Sequence, residues 1–173
     1  MDKAAKRLAD AGAEVFELEL DSRFSSLNEV QATLMHGEGQ VHFLPDYLQN
    51  KAMLHQDFID KVENRHGIST ADLVKAYDHA ALCRIAFDAL FGATLDVVLT
   101  PSVTGEPPVG LHTTGDWVFN SMWTVLHTPC IAIPVHKGPN GCPVGIQIVG
   151  PRFADARLLA IAEAVAPVID TGA

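Results

Sequence analysis

Two short apolar runs near the C-terminal end constrain the fold more than any other feature of the sequence. Residues 130–135 read "CIAIPV" and residues 144–150 read "VGIQIVG". Between them, "HKGPNGCP" contains Pro-Asn-Gly, which supplies the residue types that tight turns favour. We therefore predict a hairpin of two core strands, preceded by a helix over residues 117–126.

The composition is that of a globular protein. The chain has 173 residues, of which 48% are hydrophobic and 19% charged, enough for one α/β domain over residues 1–173 with a sizeable core. No run of 18 apolar residues exists, so we expect no transmembrane helix. The N-terminus has no apolar signal-peptide region, so we expect a cytoplasmic protein.

Charge and cysteine content limit the partners. Twelve basic against 21 acidic residues give a net charge of −9, which disfavours nucleic acid and anionic membranes as partners. Three cysteines without a C-x-x-C pair fit a reducing compartment. His127, Cys130, His136 and Cys142 follow a spacing that matches no zinc template, so we expect no metal and no cofactor.

The remaining elements alternate between helices and short strands. "STADLVKAYDHAALCRIAFDALFG" (69–92) is the clearest helix, with Ser69 as N-cap, Asp72 in the first turn and a wide apolar face that we expect to be mostly buried. The other predicted elements are a helix over 3–11, a half-buried strand over 13–20, a helix over 25–35 ended by Gly37 and Gly39, a Pro-interrupted connector over 43–50, a polar helix over 56–64, a buried strand over 95–101, an irregular loop over 101–115 and a helix over 156–165 capped by Asp155, with Pro167 beyond its end. This order predicts an α/β fold with a mixed β-sheet flanked by helices.

Four segments in this order resemble the C-terminal half of amidase-signature hydrolases. They are "DVVLTP" (96–101), "PCIAIP" (129–134), "GCPVGIQIVG" (141–150) and "DARLL" (155–159). "AAKRLADAGAEVFELEL" (4–20) is similar to the helix and strand that follow the catalytic core of that family. The resemblance covers nearly the whole chain and implies the C-terminal portion of the amidase-signature fold. It also implies that the whole enzyme hydrolyses a carboxamide through a seryl acyl-enzyme.

Two departures from the family pattern bear on function. Many members read N-x-x-G-x-P before the first hairpin strand, where this chain has Thr124 in place of the asparagine and His127 in place of the glycine. The family's Gly/Ser-rich stretch, with its nucleophilic serine, cis-peptide serine and lysine, has no counterpart here; the one Ser-Ser pair, Ser25-Ser26, lies between Phe24 and Leu27. The resemblance therefore implies a chain without catalytic residues that completes the fold and the substrate pocket and is inactive alone.

Three residues are candidates for the substrate pocket, each with a structural alternative. Trp123 could line the pocket or pack beneath the hairpin. Asp116 could meet a substrate amine or amide, or cap the helix that follows. His127 could act as a base or stabilise a turn. Outside this set of three, Arg84 on the longest helix could hold a substrate carboxylate or pair with Asp88, four residues further on.

The partner follows from the same resemblance. We expect either the N-terminal half of an amidase or self-association through an apolar face. The alternative function is a non-catalytic binding or assembly subunit that pairs with a separate catalytic chain, including amidotransferase-type complexes. Cys130 lies in an apolar strand, where a cysteine behaves as a small hydrophobe, so it is a weak candidate for a thiol nucleophile.

Overall fold

A computed structural model describes residues 1–92 and 94–170. The helices are α1 (Asp2–Asp10), α2 (Leu27–His42), α3 (Leu44–Asn50), α4 (Gln56–Val62), α5 (Thr70–Asp88), α6 (Ser121–Leu126) and α7 (Asp155–Ile169). The strands are β1 (Val98–Pro101), β2 (Cys130–Lys137) and β3 (Pro143–Val149), and two 3-10 turns cover Ser22–Phe24 and Lys51–Met53. None of the helices in these residues is long and apolar enough to cross a membrane.

The three strands form one sheet in the order β1-β3-β2. β3 is central: Val149 lies opposite Val98 of β1 on one side and Cys130 of β2 on the other. The predicted hairpin is confirmed, with strands slightly longer than the apolar runs and an irregularity between Pro134 and His136. We expected a mixed sheet, but within the described chain all strand pairing is antiparallel. A tight turn can join only antiparallel strands, which accounts for β2 and β3, and β1 also runs antiparallel to β3.

Helices cover both faces of the sheet, which confirms the α/β class. The alternation of β3 sends Ile146 and Ile148 to one face, where they pack with α1 and α7. Val149 faces the other side and joins a second cluster that contains Phe87 of α5 and Trp123 of α6. Each face of the central strand therefore contributes to a different core.

Gln147 is a polar residue in the middle of the central strand, and it is only 3% exposed. Its Nε2 donates to the carbonyl oxygen of Pro101 at 3.0 Å and to that of Phe119 at 2.9 Å. These carbonyls lie at the two ends of the irregular loop between β1 and α6. Gly145 gives the loop room to approach, since a Cβ there would lie 2.9 Å from the Ser102 hydroxyl. The β3 sequence therefore holds both ends of the loop against the sheet.

The long loop is also anchored at its middle by Glu106. Its carboxylate accepts hydrogen bonds from the backbone N–H of Asn140 and Cys142 and from the Asn140 side chain, at 2.8–3.1 Å. Burial raises the pKa of Glu106, but these hydrogen bonds together lower it more, so the pKa lies below its ordinary value. The hairpin turn thus binds the loop through an ionised carboxylate.

The prediction that Gly37 and Gly39 end the second helix is wrong, because α2 continues to His42. Both glycines are buried where α2 meets other helices. A Cβ on Gly37 would lie 2.3 Å from the Cδ2 of Leu73 on α5, so the residue serves close helix packing. Packing here outweighs the low helix propensity of glycine.

The prediction of a half-buried strand over residues 13–20 is also wrong. This segment lies outside the helices and strands, and Phe16 is 51% exposed. Residues 14–20 make no backbone hydrogen bond to another described residue. A strand needs a neighbour, and none of the described strands runs beside this segment.

The longest helix begins as predicted but is less buried than predicted. Ser69 and Asp72 form a reciprocal capping box at its start. Cys83 and Phe87 lie in the core, whereas Leu82 and Ile85 on the outer face are 64% and 65% exposed. An apolar face of α5 therefore remains uncovered in this chain.

Several predicted bounds shift. Residues 44–50 of the predicted connector form α3, which starts with Pro45 in its first turn, where proline is tolerated. α6 starts four residues later than predicted, and β1 is a half-buried edge strand rather than a fully buried one. α7 has Ala154 rather than Asp155 as its N-cap and continues through Pro167 to Ile169.

The packing of α2 against α5 generates a first prediction. Gly37→Val should lower the free energy of unfolding by about 1–3 kcal/mol, because the added methyl groups overlap Leu73. Urea unfolding followed by circular dichroism measures this difference. Gly105→Val is the control, since no atom lies within 4 Å of a Cβ placed there. Equal midpoints for the two variants would contradict the packing role of Gly37.

The Glu106 anchor generates a second prediction. A carboxyl group whose pKa is lowered on folding stabilises the fold above its unfolded pKa, and this stabilisation is lost as the pH falls through the folded pKa. Glu106→Gln should therefore lower the melting temperature at pH 7, and the difference from wild type should shrink below pH 4.5, the ordinary pKa of this group. Glu14→Gln, at an exposed position, is the control and should have no effect at either pH.

Candidate functional site: a depression at the end of helix α6

An open depression of about 310 Å³ lies where α6 ends and β2 begins. It is lined by Asn120, Trp123, Thr124, His127, Thr128 and Cys130. Two of the three predicted pocket residues, Trp123 and His127, therefore meet in one site. Asp116 does not line this depression.

Trp123 fits both interpretations of the sequence. It lines the depression and is also 6% exposed, with its ring centroid 5.5 Å from that of Phe87. Its indole Nε1 is buried without a hydrogen-bond partner among the described residues. Most of its side chain belongs to the core beneath the depression.

His127 follows α6 in a left-handed conformation, with φ of 58°. Residues other than glycine rarely adopt this left-handed conformation. Partial burial lowers the pKa of His127, and the nearby charges of Arg84 and Arg152 lower it further. Protonation of this imidazole is therefore less favourable than protonation of a free histidine.

Arg84 connects α5 to the end of α6. Its Nε donates to the carbonyl oxygen of Val125 at 2.7 Å, and its Nη2 lies 2.9 Å from the Nε2 of His127. Because a guanidinium has no acceptor, His127 accepts through Nε2 and carries its own proton on Nδ1. The expected pair between Arg84 and Asp88 is not formed, because Asp88 binds Arg152 at 2.7 Å instead.

Asp116 has a local structural role. Its Oδ1 accepts from the backbone N–H of Val118 at 2.9 Å, in the turn before α6. The N-cap of α6 is Asn120, so the expectation that Asp116 caps this helix is wrong. An aspartate side chain is short and reaches the backbone two residues further on, which explains why Asp116 binds the turn nearest to it.

The cysteines do not form an activated nucleophile in the described structure. Desolvation raises the pKa of the Cys130 thiol, although the residue is solvent-accessible at the strand start. Burial likewise raises the pKa of Cys83, whose sulfur donates to the carbonyl oxygen of Arg23. Reactive cysteines need the opposite shift.

Ser26 makes a contact with a histidine that could resemble a nucleophile and its base. Its Oγ lies 3.3 Å from the Nε2 of His79, but that nitrogen is also 2.8 Å from the carbonyl oxygen of Arg23. A carbonyl only accepts hydrogen bonds, so Nε2 carries a proton and cannot remove another from Ser26. Among the described residues, no lysine amine is hydrogen-bonded to a serine hydroxyl.

Potential metal ligands are dispersed. Within residues 1–92 and 94–170, no group of three or more His, Cys, Asp or Glu side chains could hold a metal ion. His36 and His66 stack with ring centroids 3.5 Å apart, yet Asp57, whose charge acts on His36, is bound to Lys61 at 2.5 Å. This cluster is a helix-packing contact rather than a ligand set.

The fold is that of an α/β protein with an open depression between the helix α6 and the hairpin that follows it. Comparison with known families gives a match to the Amidase family over residues 1–159, so the chain belongs to the amidase family. The resemblance to the C-terminal part of these enzymes is thereby confirmed.

Relatives and solved structures agree with this assignment. The chain is 25% identical to 2-amino-5-chloromuconic acid deaminase of Comamonas testosteroni, over 99% of this chain and 39% of that protein. It is 31% identical to a glutamyl-tRNA(Gln) amidotransferase subunit of Bordetella petrii, over 61% of this chain and 22% of that protein. A crystal structure of an amidase superposes with a TM-score of 0.77 at 22% identity, over 92% of this chain and 39% of that one. The substrate complex of 6-aminohexanoate cyclic dimer hydrolase gives 0.76 at 16% identity, over 97% and 40%.

The chain therefore spans about two-fifths of the length of the deaminase and of these two structures. The amidase with the 0.77 TM-score and the hydrolase are both less than 25% identical to this chain, so they show the fold alone.

Sequence reasoning missed the contact of Arg84 with α6 and the residues Asn120 and Thr128 of the depression. The four-residue spacing from Arg84 to Asp88 favoured a pair within α5, and nothing in the sequence indicated that Asp88 binds Arg152. His127 in the place of a glycine was the one signal of the left-handed turn.

The left-handed turn generates a third prediction. His127→Ala and His127→Gly both remove the imidazole and differ only in backbone freedom, so the glycine variant should be more stable by about 1 kcal/mol. Thermal or urea unfolding measures the difference. At Thr124, exposed within α6, the order should reverse, with Thr124→Ala more stable than Thr124→Gly by a similar amount. The same order at both positions would contradict the conformation of His127.

Proposed function

We propose that this chain is the C-terminal part of an amidase that hydrolyses a carboxamide through a seryl acyl-enzyme. The nucleophile and its base lie outside this chain, so the chain is inactive alone. The observation that supports this is the family match over residues 1–159, combined with a described structure in which no serine hydroxyl faces a free base. The chain contributes the hairpin, α6 and the depression at its end to one wall of the substrate pocket.

The exposed apolar surface supports a partner domain. Leu82 and Ile85 lie on one face of α5 and are 64% and 65% exposed, and a contiguous apolar patch on a surface is a mark of an interaction site. The segment 14–20 supports the same conclusion, since it alternates apolar and acidic residues and has no backbone partner among the described residues. The catalytic half would cover the α5 face and give this segment a neighbouring strand.

An organic acid is the first substrate class to test. The deaminase of Comamonas testosteroni aligns with 99% of this chain and is named for its action on 2-amino-5-chloromuconic acid. The shared C-terminal part would hold the portion of the substrate that does not react.

A second candidate is a non-catalytic subunit that assembles with a separate catalytic chain. The similarity to glutamyl-tRNA(Gln) amidotransferase subunits, which belong to assemblies by name, favours it. The two candidates share the exposed α5 face and differ in whether the catalytic part is joined to this chain.

The isolated chain provides a fourth prediction. Incubated with a panel of simple amides and with a fluorophosphonate probe, the purified chain should show neither hydrolysis nor labelling, because the described residues contain no activated serine. A full-length amidase is the positive control. Labelling that is lost in Ser26→Ala would show that Ser26 is activated and would overturn the inactivity of this chain.

A chimaera then tests the role of the chain in the whole enzyme. This sequence would replace the matching C-terminal two-fifths of the Comamonas deaminase, and the expected product is a folded protein whose serine reacts with the probe. Binding of a hydrophobic dye to the isolated chain, and its loss in the chimaera, would show that the exposed apolar surface becomes covered by the catalytic half. A monomeric isolated chain that binds no dye would contradict both candidates.

A further inference from the structure

One part-buried cation lacks an acidic partner among the described residues. Four of the six arginines form ion pairs, with Asp21, Asp60 and Glu63, Asp88, and Asp96. Arg7 is exposed and donates to a backbone carbonyl. Arg84 is half-buried, and no carboxylate in the described part of the chain lies within ion-pair distance of it.

The groups in direct hydrogen-bond contact with Arg84 carry no negative charge. Its two hydrogen-bond partners, the Val125 carbonyl and the His127 imidazole, are neutral. Desolvation lowers the pKa of Arg84, and the charge of Arg152 lowers it further, although Asp88 pairs with Arg152. The Glu38 carboxylate acts in the opposite direction from a distance: it accepts a hydrogen bond from the Tyr77 hydroxyl at 2.7 Å and forms no ion pair with Arg84. A partly desolvated charge without a counter-ion is unfavourable, so this arrangement fits an anion that binds from outside the chain.

The position of Arg84 indicates where that anion would bind. Arg84 is not itself among the residues that line the depression at the end of α6, but its Nη2 is hydrogen-bonded to His127, which is. The guanidinium therefore lies one side chain away from the depression. The guanidinium has five N–H donors, and these two contacts use two of them. His127 also keeps its Nδ1 proton for donation. A volume of about 310 Å³ is sufficient for a small ligand.

We propose that the depression beside His127 binds a small carboxylate and that Arg84 is the residue that pairs with it. The forked guanidinium matches the two oxygens of a carboxylate, which a neutral amide cannot replace. The identification of this carboxylate as part of an amide substrate rests on the proposed function. The binding site itself rests only on the contacts described here.

Titration of the isolated chain tests the site. Succinamate carries one carboxylate and one amide, and succinamide is its neutral counterpart of the same size. The Nε–H signal of Arg84, held by the Val125 carbonyl, is followed by ¹H–¹⁵N NMR. Succinamate should shift this signal to saturation, whereas succinamide should leave it unchanged. Equal shifts with the two compounds, or none with succinamate, would overturn the proposal.

Variants give an independent measurement. Arg84→Met should weaken succinamate binding by about tenfold to a hundredfold, the range expected for loss of a hydrogen bond to a charged group. Arg157→Met is the control and should bind as wild type, because Arg157 is paired with Asp96 on another part of the surface. If Arg84→Met does not fold, Arg84→Lys takes its place in the measurement. The lysine variant keeps the charge and should bind succinamate with intermediate affinity. Equal affinities for wild type and the Arg84 variants would contradict the site.

The outcome is separable from that of the proposed function. Carboxylate binding by the isolated chain, together with an inactive chimaera, would leave this site in place and reject the amidase role. An active chimaera, together with an isolated chain that does not bind succinamate, would support the amidase role and reject the carboxylate site.

Discussion

The two hydrogen bonds of the buried Gln147 amide connect the central strand to the loop that leads into α6. They join the central strand to the last residue of β1 and to the segment just before α6, so the loop between them has both ends fixed on the sheet. Loss of either bond would leave a buried polar atom unsatisfied, at a cost of about 1–3 kcal/mol. The position of α6, and with it the depression, depends on this side chain together with that of Asn120, which donates to the Ser102 carbonyl oxygen at 3.0 Å.

The end of α6 is fixed by a second device, the guanidinium of Arg84. A helix ends with carbonyl groups that lack partners, and here Arg84 donates to one of them while also contacting the residue that reverses the chain. Cation placement at a helix C-terminus is favourable to the helix dipole as well. The same group can therefore stabilise the fold and present its remaining donors to a ligand, which links specificity to local stability.

The sequence predicted those features that depend on neighbours along the chain. The hairpin turn and the helix start at Ser69 are local, and both are present. Features that depend on distant partners were missed or wrong: the close packing at Gly37, the binding of Asp88 to Arg152, and the segment 14–20, which was predicted as a strand but has no neighbouring strand in the described structure. Of the candidate site, Trp123 and His127 were found because they adjoin the hairpin, whereas the contacts of Arg84 with Val125 and His127 arise only from the tertiary fold.

The central position of β3 also determines the order in which contacts can form. Its pairing with β2 closes a short turn, whereas its pairing with β1 requires the chain between them to be brought back over a long separation, at a greater entropic cost. We therefore expect the hairpin to form before β1 adds to the sheet. Until β1 arrives, Gln147 has no Pro101 carbonyl to bind and the Ile146–Ile148 face has only part of its cover. During synthesis β1 is made before the hairpin, so its backbone N–H and C=O groups stay unpaired until β3 has been made.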